Sequence, residues 1–259
     1  MTGTQATTPW LAFHNPNPQA AMRLFCFPYA GGSALTYRHW AAQLPPSVET
    51  CLVQLPGRGS RLHETPSKQM KPLVEATARG LSVYFGKPFA FFGHSMGAII
   101  SFELARLLRR EDGLEPIRLF VSGRGAPQVA DSDPLTYTLP DPEFLAELRR
   151  LEGTPQEVLE HPELMQAMLP LLRADFEAIQ TYSYQAEPPL NCPISAFGGL
   201  QDPSFSREDL GAWREQTTGS FSLRLFPGNH FFINIDQHLV LAAIAQELSQ
   251  GQRLNRMSI

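Results

Sequence analysis

The feature that most constrains this chain is a serine framed by glycines and set between two unlike apolar patterns. Gly93-His94-Ser95-Met96-Gly97 follows directly on Pro88-Phe89-Ala90-Phe91-Phe92 and runs directly into Ala98–Arg109. The first flank is a short continuous apolar run, which reads as a strand covered on both faces. The second is apolar almost all round and reads as a buried helix. A serine on so tight a strand-to-helix turn has its hydroxyl pushed out at the strand's carboxyl end. Glycines flank it because the turn crowds backbone against strand and helix. The helix amino terminus behind the serine favours negative charge arriving there. Alone, the pattern Gly-x-Ser-x-Gly is weak and could be a generic glycine-rich turn; its flanks give it meaning.

The same alternation runs through the rest of the chain. Met22–Phe27, Cys51–Leu55, Phe89–Gly93, Leu119–Ser122, Ile194–Phe197 and Leu223–Phe226 read as buried strands. Leu35–Leu44, Leu73–Phe85, Ala98–Arg109 and Asp236–Leu248 carry helical patterns between or after them. Strand and helix in turn predict an α/β protein with a mainly parallel central sheet and helices on both faces. One stretch breaks the rhythm. Between residues 125 and 190 there is no good strand, but Asp141–Leu151, Pro155–Leu159 and His161–Tyr184 read as helices, the last broken near Pro170. The expected organisation is a core of residues 1–124 and 191–259 with a helical insertion at 125–190. The first twenty and last ten residues are expected to be loose.

Composition narrows the function classes. With 259 residues, the chain can bury a large core without disulfide or metal staples. A net charge of -4 argues against nucleic acid as a partner. Cys26, Cys51 and Cys192 fit no zinc spacing and no paired framework, and read as small buried hydrophobes. The polar N-terminus lacks the pattern of a signal peptide, and no apolar run is long enough to span a bilayer. A cytoplasmic protein, with no membrane association and expected to be a monomer, follows from these points. The 17 Phe imply extensive apolar surface in need of cover.

A serine hydroxyl needs a base and an orienting acid to act as a nucleophile. Beside a serine turn of this kind the acid and the histidine should follow in that order, each just after a later strand. Ile194–Phe197 runs into Gly198-Gly199-Leu200-Gln201-Asp202-Pro203, and Leu223–Phe226 runs into Pro227-Gly228-Asn229-His230. Ser95, Asp202 and His230 are therefore expected at one edge of the sheet. His94 should point away from the nucleophile and be structural, and His238 should lie on the surface. Asp175 reads as mid-helix, solvated or lining a groove; Asp209 and Asp236 read as helix-start residues. The oxyanion needs two backbone N–H donors. Met96 should supply one; the loop Pro28-Tyr29-Ala30-Gly31-Gly32-Ser33 should supply the other, through Ala30 with Gly31 as rival. Gly31-Gly32 as a phosphate cradle lacks the Lys-Ser/Thr of a P-loop. No metal or cofactor site is expected.

Together these residues resemble the type II thioesterases, stand-alone α/β-hydrolases that accompany modular polyketide and nonribosomal peptide synthases. The likeness is carried by Leu24–Gly32, Leu55–Arg61, Phe92–Ala98, Ser122–Pro127, Leu151–Pro155, Leu172–Phe176, Phe197–Pro203 and Pro227–Phe232. It implies the α/β-hydrolase fold and a serine hydrolase. Such an enzyme removes stalled or wrong acyl groups from the phosphopantetheine arm of an acyl or peptidyl carrier protein, or releases chains. The insertion would then be a lid over Ser95, its Leu, Met and Phe forming an acyl channel; a plain helical hairpin on the core is the alternative. Arg58 and Arg61 could meet an acidic carrier protein or tie loops together. Two other functions compete: an oxygen-ester hydrolase of the same fold, and a non-catalytic binding protein built on it.

Overall fold

The computed structural model describes residues 8–129, 134–151 and 161–257. Its centre is a seven-stranded sheet: β1 (Leu11–Ala12), β2 (Met22–Phe27), β3 (Val48–Val53), β4 (Phe89–His94), β5 (Arg118–Ser122), β6 (Ile194–Gly199) and β7 (Phe221–Phe226). The spatial order is β1-β3-β2-β4-β5-β6-β7. Every pairing is parallel except that of β1 with β3. The six expected strands are all present, with ends shifted by up to three residues. Around the sheet lie α1 (Met70–Leu81), α2 (Met96–Asp112), α3 (Asp141–Arg150), α4 (Pro162–Gln180), α5 (Arg207–Gly211), α6 (Phe232–Ile235) and α7 (Gln237–Met257).

Alternation along each strand feeds two apolar layers, one on each face. Phe25, Phe27, Phe89, Phe91, Leu119 and Val121 join α1 and α2 in one layer. Met22, Leu24, Cys26, Ala90, Phe92 and Phe120 join Tyr37, Trp40 and the buried side of α7 in the other. The phenylalanines therefore face both ways. Phe25, Phe85, Phe89 and Phe91 pack ring on ring on one side; Phe92 meets Tyr37 and Trp40 on the other. A third, smaller cluster of Phe144, Leu148, Met165 and Leu172 joins α3 to α4 in the stretch between β5 and β6. The chain beyond α4 returns to the core: Tyr182 and Tyr184 pack against the α2 layer, and Arg106 donates to the Gln185 carbonyl.

Several expectations need correction. Leu35–Leu44 forms two 3-10 turns, Ala34–Tyr37 and Trp40–Ala42, rather than one helix. Residues 8–20 are anchored, not loose. Leu11 pairs with Val53, Trp10 is buried, and the Arg61 guanidinium lies 3.9 Å above the Trp10 ring. At the other end α7 continues to Met257, well beyond Leu248. Pro170 does not break its helix: α4 runs unbroken from Pro162 to Gln180. A proline inside a helix forfeits one backbone bond and crowds the carbonyl four residues back. Burial of Leu171, Leu172, Ala174 and Asp175 just beyond it holds the helix together. The expected helix Pro155–Leu159 lies outside the described residues.

Candidate active site

Ser95 sits between β4 and α2 with φ 53° and ψ -115°, a conformation that costs energy for any residue with a side chain. The surroundings enforce it. A Cβ on Gly93 would lie 2.0 Å from the Gly97 carbonyl oxygen, and one on Gly97 would lie 2.2 Å from that of Phe27. Only glycine fits at either position, so the two glycines of the sequence pattern mark a backbone crossing. The Ser95 N–H donates to the Ser122 carbonyl at 2.7 Å, which fastens the turn to the end of β5. Ser95 remains half-buried while Met96 and all of β4 are buried.

Asp202 and His230 occupy the loops after β6 and β7, as their place in the sequence requires. Leu200 N–H donates to Phe226 O at 2.8 Å and Gln201 N–H to Gly228 O at 2.9 Å, so the two loops are laced together. His230 Nδ1 lies 2.7 Å from Asp202 Oδ2. A carboxylate only accepts, so Nδ1 carries the hydrogen and Nε2 is left to accept a proton. Burial works to raise the Asp202 pKa, but the His230 contact and the Ser204 N–H, 2.9 Å from Oδ1, outweigh it. The carboxyl is held below its usual range.

His94 is fully buried and is not among the residues that line the cavity beside Ser95. Its Nδ1 lies 2.9 Å from Ser122 Oγ, and its ring is 5.1 Å from that of His230. Burial, and then the neighbouring His230, push its pKa well below the usual histidine value. His238 is exposed. Asp209 closes a capping box with Ser206 at the start of α5, and Asp236 precedes α7.

The two residues expected to supply oxyanion donors line the same cavity as the serine. Met96 N–H is the first amide of α2 and has no acceptor within the helix. Ala30 is on the turn after β2 and lines the same cavity as Ser95, Met96 and His230. Its rival is occupied: Gly31 N–H donates to Asp175 Oδ2 at 2.7 Å. Asp175 is therefore neither solvated nor a groove residue. It is 1% exposed and forms a two-pronged pair with Arg58, at 2.7 Å for each prong. Arg58 and Arg61 are themselves buried and bind loops: Arg58 Nη1 also reaches Gly32 O, and Arg61 holds Glu64 and Gln54 O. Neither is available to an approaching protein. No local pattern announces the pair, because its members stand 117 positions apart.

The cavity beside Ser95 measures about 110 Å³. Tyr29, Ala30, Ser95, Met96, His230 and Phe231 form its floor; Leu148, Leu151, Leu172, Phe176 and Ile179 of the α3–α4 stretch roof it. Glu147, Gln180 and Arg124 add polar atoms. Sequence reading missed these three, although Arg124 stands two residues past β5, at the same sheet edge as Ser95. A neighbouring hollow of about 420 Å³ shares Arg124, Ile179, Gln180, Ser204 and Phe205 with the cavity. Elsewhere among the described residues His14, Glu49 and Cys51 bring ligand-type atoms within 4.8 Å of one another. Glu49 already faces His14, Arg23 and Lys87, and the positive charges of Arg23 and Lys87 compete with any cation for its carboxylate.

Comparison with known proteins agrees with this geometry. A thioesterase domain model matches residues 22–249. The gramicidin S biosynthesis protein GrsT of Aneurinibacillus migulanus is 43% identical over 248 residues, covering 96% of this chain and 97% of its own. Among solved structures, the RedJ thioesterase of the prodiginine pathway of Streptomyces coelicolor superposes with a TM-score of 0.84 at 39% identity. The match covers 95% of this chain and 91% of that one. The type II thioesterase BorB of the borrelidin cluster gives 0.86 at 38% identity, covering 94% and 100%. On its serine turn, its sheet order and these likenesses, the chain belongs to the type II thioesterases of the α/β-hydrolase fold.

Proposed function

We propose that this protein hydrolyses acyl thioesters on the phosphopantetheine arm of acyl or peptidyl carrier proteins, with Ser95, His230 and Asp202 as catalytic residues. The role is to clear stalled units or release chains in peptide or polyketide synthesis. The observation that carries this reading is the His230–Asp202 contact of 2.7 Å, with His230 lining the same cavity as a serine held at positive φ. His230 Nε2 takes the Ser95 proton as Oγ attacks the thioester carbonyl. The oxyanion is received by the Met96 and Ala30 amides. The thiol departs with the proton from His230 and leaves an acyl-serine. Water, deprotonated by the same nitrogen, attacks this ester and frees the acid. Asp202 keeps the hydrogen on Nδ1 and balances the imidazolium.

The insertion at 125–190 acts as a lid in this scheme. Its α3–α4 part roofs the cavity with Leu148, Leu172 and Phe176, which suits an acyl group. The adjoining hollow past Arg124 and Phe205 offers the polar pantetheine arm a way in. The buried, unpaired thiols Cys26, Cys51 and Cys192 fit a reducing cytoplasm.

Ser95→Ala should lower kcat/KM by about 10⁴-fold or more while melting as the parent does. A serine-directed phosphonate should label the parent at Ser95 only. Turnover that survives the substitution would exclude Ser95 as nucleophile.

A further inference from the structure

The Arg58–Asp175 pair does more than fasten α4 to the core. Tyr29–Gly32 is a tight turn closed by Gly32 N–H on Tyr29 O at 2.9 Å, with Gly31 at φ +76°. Such a turn has a competing form in which its central peptide, Ala30–Gly31, is flipped and the Gly31 N–H points the opposite way. Asp175 Oδ2 grips that N–H at 2.7 Å, and Arg58 Nη1 grips the next carbonyl, Gly32 O, at 3.0 Å. Both grips fall just past Ala30, which lines the cavity. The side chain of Leu172 closes over the same spot: a Cβ on Gly31 would lie 2.4 Å from its Cδ2.

We propose that Asp175 is a positioning residue for catalysis: by holding the Gly31 amide it fixes the turn that carries the Ala30 N–H, the second oxyanion donor. The proposal rests on the reading of Ser95 and Ala30 given above. It also explains the two-pronged arginine. A bare carboxylate one residue from the oxyanion site would oppose the charge that forms there. Paired with Arg58, Asp175 orients the amide without that penalty. The contact comes from α4, so the turn is set only when this helix is seated.

Two double variants separate positioning from mere fastening. Arg58→Met with Asp175→Asn removes the ion pair but keeps an oxygen for the Gly31 N–H. Arg58→Met with Asp175→Leu removes the pair and the acceptor while keeping apolar bulk. Each is assayed for kcat and KM on an acyl thioester. Each is also titrated with a trifluoromethyl ketone analogue, whose carbonyl carbon bonds to Ser95 Oγ as His230 takes the proton and the ketone oxygen becomes the oxyanion. The free acid product serves as a ligand that needs no oxyanion donor. The leucine variant should fall about 30-fold or more below the asparagine variant in both kcat and ketone affinity, short of the loss of a whole donor. KM and product affinity should differ by less than about threefold between them. Equal kcat and ketone affinity in the two variants would overturn the proposal. Normal turnover by Ser95→Ala, with no ketone adduct on the parent, would instead overturn the underlying reading of the site.

Discussion

At the scale of single residues, the site is built from contradictions that the fold resolves. Ser95 holds a conformation few serines adopt, and two glycines leave it no other. His94 is a histidine kept in the dark: burial holds its pKa far below the ordinary value, so it stays neutral in the folded protein. The unfolded chain binds a proton at this position below about pH 6.5, whereas the folded chain does not. Stability contributed by His94 is therefore complete above that pH and is lost as the pH falls, with a slope of up to about 1.4 kcal/mol per unit. Replacing His94 with Gln should remove this slope from urea-unfolding free energies measured between pH 6.5 and 5. An unchanged slope in the variant would show that other groups set it. Asp202 has the same sign for a different reason, since its depressed pKa favours the folded state until the carboxylate itself is protonated. That loss begins at lower pH, so the two can be told apart.

At the scale of elements, most of the fold was legible because the signals are local. β2 begins and ends where its apolar run does, and Asp202 and His230 follow their strands as the order of the chain requires. The failures are equally physical. β1 has two residues and owes its existence to β3 and to Trp10, not to any pattern of its own. Asp175 looks like any acid in mid-helix; only the return of α4 over the loop after β3 gives it Arg58 as a partner. Pro170 suggested a break that packing on its carboxyl-terminal side overrides. The cost of that proline should still be measurable. It lies on the exposed side of α4, where alanine could restore a backbone bond without new contacts. Pro170→Ala should stabilise the protein by about 1–2 kcal/mol, less than the full propensity gap because the unfolded chain also gains freedom. The urea midpoint would report it. A lower midpoint would mean that the rigidity or contacts of Pro170 outweigh the bond it forfeits.

At the scale of the whole molecule, one sheet does two jobs. Its two faces bury the aromatic residues of a large core, while its carboxyl edge gathers a serine, a histidine and an aspartate from three separate strand ends. Helices α3 and α4, between β5 and β6, line the cavity at that edge and, through Asp175, touch the turn after β2. In the proposed mechanism, substrate cover and catalytic geometry are linked in one helix. Nothing in Ser95, His230 and Asp202 alone distinguishes a thioester from an oxygen ester, so the central claim is best tested on the substrate. The decisive measurement is kcat/KM for an acyl group presented as a thioester on a carrier protein, set against the same acyl group as an oxygen ester. Thioesterase function predicts a clear preference for the carrier thioester, abolished in Ser95→Ala. A preference of tenfold or more for the oxygen ester would contradict it.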